Sequence, residues 1–186
     1  DNRSSRGLGD VYKRQSYNQL RDSDIEKIKD WVGKGNTLIT IARGSSWAIN
    51  KKIVDETLVK GKKDTVFSRK NYVDARENIG RERIGGVILS VDIDLTHPLA
   101  FGYNDLSIPV YKNNNVFINK TSDHYSSVAI YSEDAHIDGY ISKNNLKNFI
   151  PGSASLLVSR INSGRVVLFA DNPNFRGSWY GTNKLF

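Results

Sequence analysis

The sequence predicts an α/β fold, and three observations carry that expectation. A capped amphipathic helix runs through a short turn into a buried strand, over residues 23–42. Near the other end, Val166, Val167, Leu168, Phe169 and Ala170 are apolar on both faces, as in a sheet covered on both sides. A polar loop with Asp171, Asn172 and Asn174 then follows at the carboxyl end of that strand, where open α/β sheets bind ligands.

The elements follow in chain order. Ser23-Asp-Ile-Glu26 fits a capping box, with Ile25, Ile28 and Val32 on one helical face. Gly33 and Gly35 end the helix. Residues 37–42, TLITIA, read as a buried strand, so this unit is half of a βαβ motif. Arg43, Gly44, Ser45, Ser46 and Trp47 make a strand-to-helix turn. Residues 50–86 are charged and weakly periodic, with a helix expected over 72–83. A strand is expected over 87–93, ended by His97-Pro98, because proline restricts the residue before it. Short strands are expected over 116–118 and 128–131, and a helix capped by Ser142 over 142–149. Leu156, Leu157 and Val158 begin a hairpin that turns at Asn162-Ser163-Gly164. A helix is expected to start within 179–186.

Composition narrows the function classes. The chain has 186 residues, enough for one domain with a sizeable core. The formal net charge is +7, yet basic residues alternate with acidic ones, as in Arg76-Glu-Asn-Ile-Gly-Arg-Glu-Arg83. That pattern is a solvated surface and not a nucleic-acid footprint. No cysteine is present, which removes disulfides, thiolate zinc sites and a cysteine nucleophile together. No apolar run is long enough to span a membrane.

Residues 1–15 stand apart. Asp10-Val11-Tyr12-Lys13-Arg14-Gln15 is the translation, in one frame, of the transposon-end adapter AGATGTGTATAAGAGACAG. This segment is therefore read as a sequencing artefact, disordered and excluded from fold reasoning. Residues 16–186 are read as a partial domain whose preceding strand is missing and whose last helix is cut. A sheet lacking an early strand leaves an unpaired edge, so the segment is expected to fold poorly by itself.

Three stretches carry a resemblance: SGRVVLFADNPNFRGSWYGTNKLF over 163–186, residues 20–41, and DIDLTHPLAFGY over 92–103. Together they resemble the C-terminal class I glutamine amidotransferase-like domain found behind the catalytic domain of bacterial zinc carboxypeptidases. The resemblance implies a flavodoxin-like sheet with flanking helices, truncated at both ends. It implies a secreted or periplasmic parent that removes C-terminal residues from peptides. It also implies one partner, the upstream peptidase domain of the same chain. The peptidase signature His-x-x-Glu with a distant second histidine is absent, so zinc is expected in the parent's catalytic domain and no cofactor in this segment.

Site candidates are weighed against simpler roles. The amidotransferase nucleophile, a cysteine, would stand on the turn after the first strand, with a histidine near 171–175. Neither residue is there. Ser45 or Ser46 is a weak candidate for a serine-dependent hydrolase, against a helix N-cap role. Asp92, Asp94 and His97 suggest metal ligation, but strand alternation and a turn account for them, and no metal site is assigned. His124 and His136 read as surface residues. The strongest ligand-binding candidate is the loop of Asp171, Asn172 and Asn174 with Arg176, Trp179 and Tyr180. An arginine with two aromatics suits a carboxylate or a sugar. The chain is thus expected to be a non-catalytic accessory domain, with a stand-alone peptide- or carbohydrate-binding module as the alternative.

Overall fold

The computed structural model describes residues 20–61, 71–123, 125–175 and 185. The expected artefact at 1–15 and the expected terminal helix, apart from Leu185, lie outside them.

The fold is mixed α/β, with flanking helices on a seven-stranded sheet. Helix α1 (Asp22–Gly33) leads into β1 (Thr37–Ile41), and helix α2 (Arg43–Asn50) follows at once. A 3-10 turn, Tyr72–Asp74, opens helix α3 (Ala75–Arg81). Strand β2 is Gly86–Ile93 and β3 is Ser107–Lys112. The short β4 is Ile118–Asn119, and β5 is the long Ser127–Tyr140. Helix α4 (Lys143–Asn148) precedes the hairpin of β6 (Ser153–Ile161) and β7 (Gly164–Phe169). The strand order is β1-β7-β6-β5-β2-β3, with β4 also on β6. Only β1 and β7 run parallel; the other described pairings are antiparallel.

Alternation along β7 divides the core in two, because successive side chains point to opposite faces. Val166 and Leu168 meet Ile25 and Val32 of α1 and Ala48 and Ile49 of α2. Val167 and Phe169 belong to a second cluster with Val91, Ile108, Val128 and Leu156. Both faces of β7 are therefore buried, as its unbroken apolar run requires. Each buried Val, Leu or Phe contributes about 1.5–3 kcal/mol of transfer free energy, so this strand anchors both layers.

Several boundaries differ from the sequence expectation. The α1 N-cap is Arg21, two residues before Ser23, because the Asp24 carboxylate accepts the Arg21 N–H at 3.3 Å and takes the reaching-back role. Strand β3 was not expected. It carries Pro109, which a ladder tolerates at an edge, and β3 ends the strand order. Strand β5 runs far beyond 131; pairing with β2 holds its polar second half, with Leu89 opposite His136 and Ile88 opposite Asp138. Ser142 caps α4 as expected, its hydroxyl accepting the Asn145 N–H at 3.0 Å. Among the described residues, no helix is long and apolar enough to cross a membrane.

Candidate functional site

The parallel register places Ile41 opposite Phe169, so the carboxyl ends of β1 and β7 lie side by side. This brings together two sets of candidates, the Ser45–Ser46 turn and the loop after Phe169. The structure ties both of them down.

Ala42 links β1 to α2 with φ 51° and ψ −113°, a backbone strained for an L-residue by about 1–3 kcal/mol. Its N–H donates to Phe169 O at 2.8 Å, and its carbonyl accepts the Ser45 and Ser46 N–H groups at 3.0 and 3.2 Å. A sharp strained turn between strand and helix is the device that exposes a nucleophile in hydrolases. Here the strained residue presents a methyl group, one position ahead of the turn the sequence suggested. Ser45 is 0% exposed, and its hydroxyl donates to Phe169 O at 2.7 Å and lies 3.0 Å from Thr40 Oγ1. It serves as a clamp between β1 and β7, and the cap position belongs to Ala42. Ser46 is half-buried, and its Oγ accepts from Asn50 Nδ2 at 3.4 Å. No hydrogen bond joins either serine to a histidine or a carboxylate among the described residues.

In the loop after β7, Asp171 points inward and is 3% exposed. Its Oδ1 accepts from Lys112 Nζ at 3.1 Å, and the Tyr131 hydroxyl reaches both carboxylate oxygens at 2.7 Å. Ser155 Oγ donates to Oδ2 at 2.5 Å. Lys112, itself 0% exposed, also donates to Val116 O at 2.6 Å and lies 4.9 Å from the centre of the Phe117 ring. Burial pulls the Lys112 amine below its ordinary value, while the Asp171 charge and hydrogen bond act against that. Burial, reinforced by the adjacent carboxylate, pushes the Tyr131 phenol well above its ordinary value. One ammonium and one carboxylate thus form a dry, matched pair in which every strong donor is used.

The rest of the loop is equally committed. Asn172 Oδ1 accepts the Asn174 N–H at 3.1 Å, an Asx turn. The Phe175 ring stacks on Tyr111, with centroids 3.7 Å apart. Arg176, Trp179 and Tyr180 lie outside the described residues.

Asp92 makes a cross-strand bond within the sheet, whereas Asp94 and His97 build the turn that follows β2. Asp92 accepts from Ser132 Oγ at 2.7 Å; Asp94 accepts from Thr96 N–H at 2.9 Å and from its hydroxyl at 2.6 Å. The Leu99 N–H donates to His97 Nδ1 at 3.2 Å, and desolvation is the first cause lowering the His97 pKa. Those Thr96 bonds lower the Asp94 pKa. The described residues hold no cluster of three or more His, Asp or Glu able to grip a metal. His136 is exposed, with Nε2 2.7 Å from Gly139 O, and His124 lies outside the described residues.

Sequence reasoning missed the Lys112–Tyr131–Ser155 partners of Asp171. It also missed a cavity of about 550 Å³ over the β1–β7–β6 face. Arg160 and Arg165 line that cavity, opposite each other across the hairpin, and the hairpin expected from the sequence already implied that pairing.

No family model matches the chain, no curated protein matches it, and no solved structure matches it.

Proposed function

We propose that this chain is a non-catalytic accessory domain of a zinc metallocarboxypeptidase, with a flavodoxin-like, class I glutamine amidotransferase-like architecture. The observation that carries the non-catalytic part is the Ala42 turn. The strained elbow is retained, but its side chain is a methyl group, and the buried Ser45 hydroxyl is spent on β7. The resemblance of residues 20–41, 92–103 and 163–186 supports the peptidase context. The parallel β1–β7 pair, with α1 and α2 packed against it, is the part of the sheet that fits this architecture; the antiparallel pairings of the remaining strands depart from it.

In this reading the upstream peptidase domain holds zinc and does the hydrolysis, in the secreted or periplasmic space. The present segment packs against that domain or helps to present substrate to it. The alternative of a stand-alone binding module loses support at Asp171, whose carboxylate already has three internal donors.

Two experiments test the proposal. The source gene, read upstream of Ser16 from an adapter-free clone, is expected to encode His-x-x-Glu and a later histidine. A start codon followed by a single βα unit would remove the peptidase context. In the full-length parent, Ser45→Ala and Ser46→Ala are expected to leave turnover of C-terminal peptide substrates within about twofold. A loss of a hundredfold or more, in protein that still melts cooperatively, would make a serine-dependent hydrolase the better reading.

A further inference from the structure

The cavity over the β1–β7–β6 face is built in rows. Thr37 stands opposite Arg165, and Arg165 opposite Arg160. The next row on the same face is Ile39, Val167 and Val158, and beyond it lies Phe169. A cationic row at the turn end thus borders an apolar floor.

Directly opposed like charges on neighbouring strands are destabilising, and strand pairs normally avoid them. Neither guanidinium group makes a hydrogen bond or ion pair with any described residue, although the Arg165 backbone N–H donates to Asn36 O at 3.1 Å. The carboxylates that line the same cavity are already occupied. Asp94 is held by Thr96, and Asp123 accepts from the Tyr125 N–H at 3.0 Å and from Ser126 Oγ at 2.8 Å. His97, whose Nδ1 takes the Leu99 N–H, and the exposed Tyr125 phenol complete the charged and titratable groups of the wall. A volume of about 550 Å³, with an apolar floor and a polar and charged rim, suits a small amphiphilic ligand. Ile39 is 44% exposed, so part of that floor is open to solvent.

We propose that this cavity binds a small amphiphilic anion, its carboxylate or phosphate head held by Arg160 and Arg165 and its apolar body lying over Val158, Val167, Ile39 and Phe169. Two guanidinium forks on adjacent strands present paired donors to one head group, which an ammonium cannot do. The anion also removes the repulsion that the free protein carries. This site is distinct from the loop of Asp171, and its success or failure leaves the peptidase assignment untouched.

The test is calorimetric titration of the full chain with sodium octanoate and with octyl phosphate, set against octanol and inorganic phosphate. Saturable one-site binding of either amphiphile is expected, and the tighter of the two identifies the head group. Octanol is expected to bind at least tenfold more weakly, and added salt to weaken the anions. Arg160→Gln with Arg165→Gln should weaken binding tenfold or more, and Ile39→Glu, at an exposed position, should do the same. The proposal is overturned if neither amphiphile saturates a cooperatively melting protein. It is also overturned if octanol binds as tightly as the anions, or if neither variant changes the affinity.

Discussion

The two ends of the β6–β7 hairpin treat positive charge in opposite ways. At the carboxyl end of β7, Lys112 is sealed from water and matched by Asp171. At the turn end, Arg160 and Arg165 face each other, exposed and without a carboxylate within ion-pair reach among the described residues. Desolvation makes the difference. An unmatched ammonium in a dry interior costs several kcal/mol, whereas two solvated guanidinium groups cost little and stay available. The first end is a lock and the second an open receptor.

The largest expected effect breaks the lock. Asp171→Ala leaves the Lys112 ammonium buried without a counter-charge and should cost about 3–5 kcal/mol in denaturant unfolding. Lys112→Met combined with Asp171→Asn removes both charges and keeps an acceptor for Tyr131 and Ser155. It should cost less than Asp171→Ala alone. If the double variant is the less stable of the two, the pair does not act as a lock. Next comes the packing of the hairpin on α1. A methyl group at Gly164 would run into Val32 O and stand 2.6 Å from Asn36 O, both of them backbone atoms. Gly164→Ala should therefore cost about 3 kcal/mol, the upper range for overpacking. A loss under about 1 kcal/mol would show that the hairpin can move away from the helix.

Tyr131 joins the lock to alkaline pH. An unfolded tyrosine loses its proton near pH 10, while the buried phenol beside Asp171 holds its proton well above that. Above about pH 10 the unfolded state then binds fewer protons, so this group makes stability fall as pH rises. Lys112 acts in the opposite sense, since its lowered folded pKa makes stability rise with pH up to its ordinary value. The difference between wild type and Tyr131→Phe isolates the phenol. That difference should be about 1–3 kcal/mol at neutral pH, from the lost hydrogen bonds, and should shrink between about pH 9 and pH 11. A difference that stays constant across that window would mean that the phenol ionises as freely when folded as when unfolded.

How much of this was legible follows from where the information lies. Helix α1, β1 and the hairpin were readable because periodicity and apolar runs are local signals. Strand β3 was hidden by Pro109, and β4 has only two residues. The lock was invisible because Lys112 sits in VYKNNN, which reads as surface, and its partner lies 59 residues away. The loop with Asp171 was found for the right position, but the direction of its carboxylate is a tertiary fact. So is the strained φ of Ala42, since nothing local in IARG demands it. Arg160 and Arg165 are the reverse case: their pairing follows from the turn alone, and only the cavity needed the structure.

The smallest effect on stability belongs to those arginines, and it sharpens the contrast most. Arg160→Gln with Arg165→Gln alters exposed side chains that hold no described partner, so unfolding free energy should change by no more than about 0.5 kcal/mol. The sign matters more than the size. Removing opposed like charges should raise stability slightly at low salt, and the gain should vanish by about 1 M salt, where screening acts over about 3 Å. A gain that persists at high salt would point to packing, and a loss at every salt concentration would show that the arginines support the fold. A small, salt-sensitive gain is what a receptor held open for an anion requires, because charges that stabilise a ligand complex are charges the free protein tolerates at a cost.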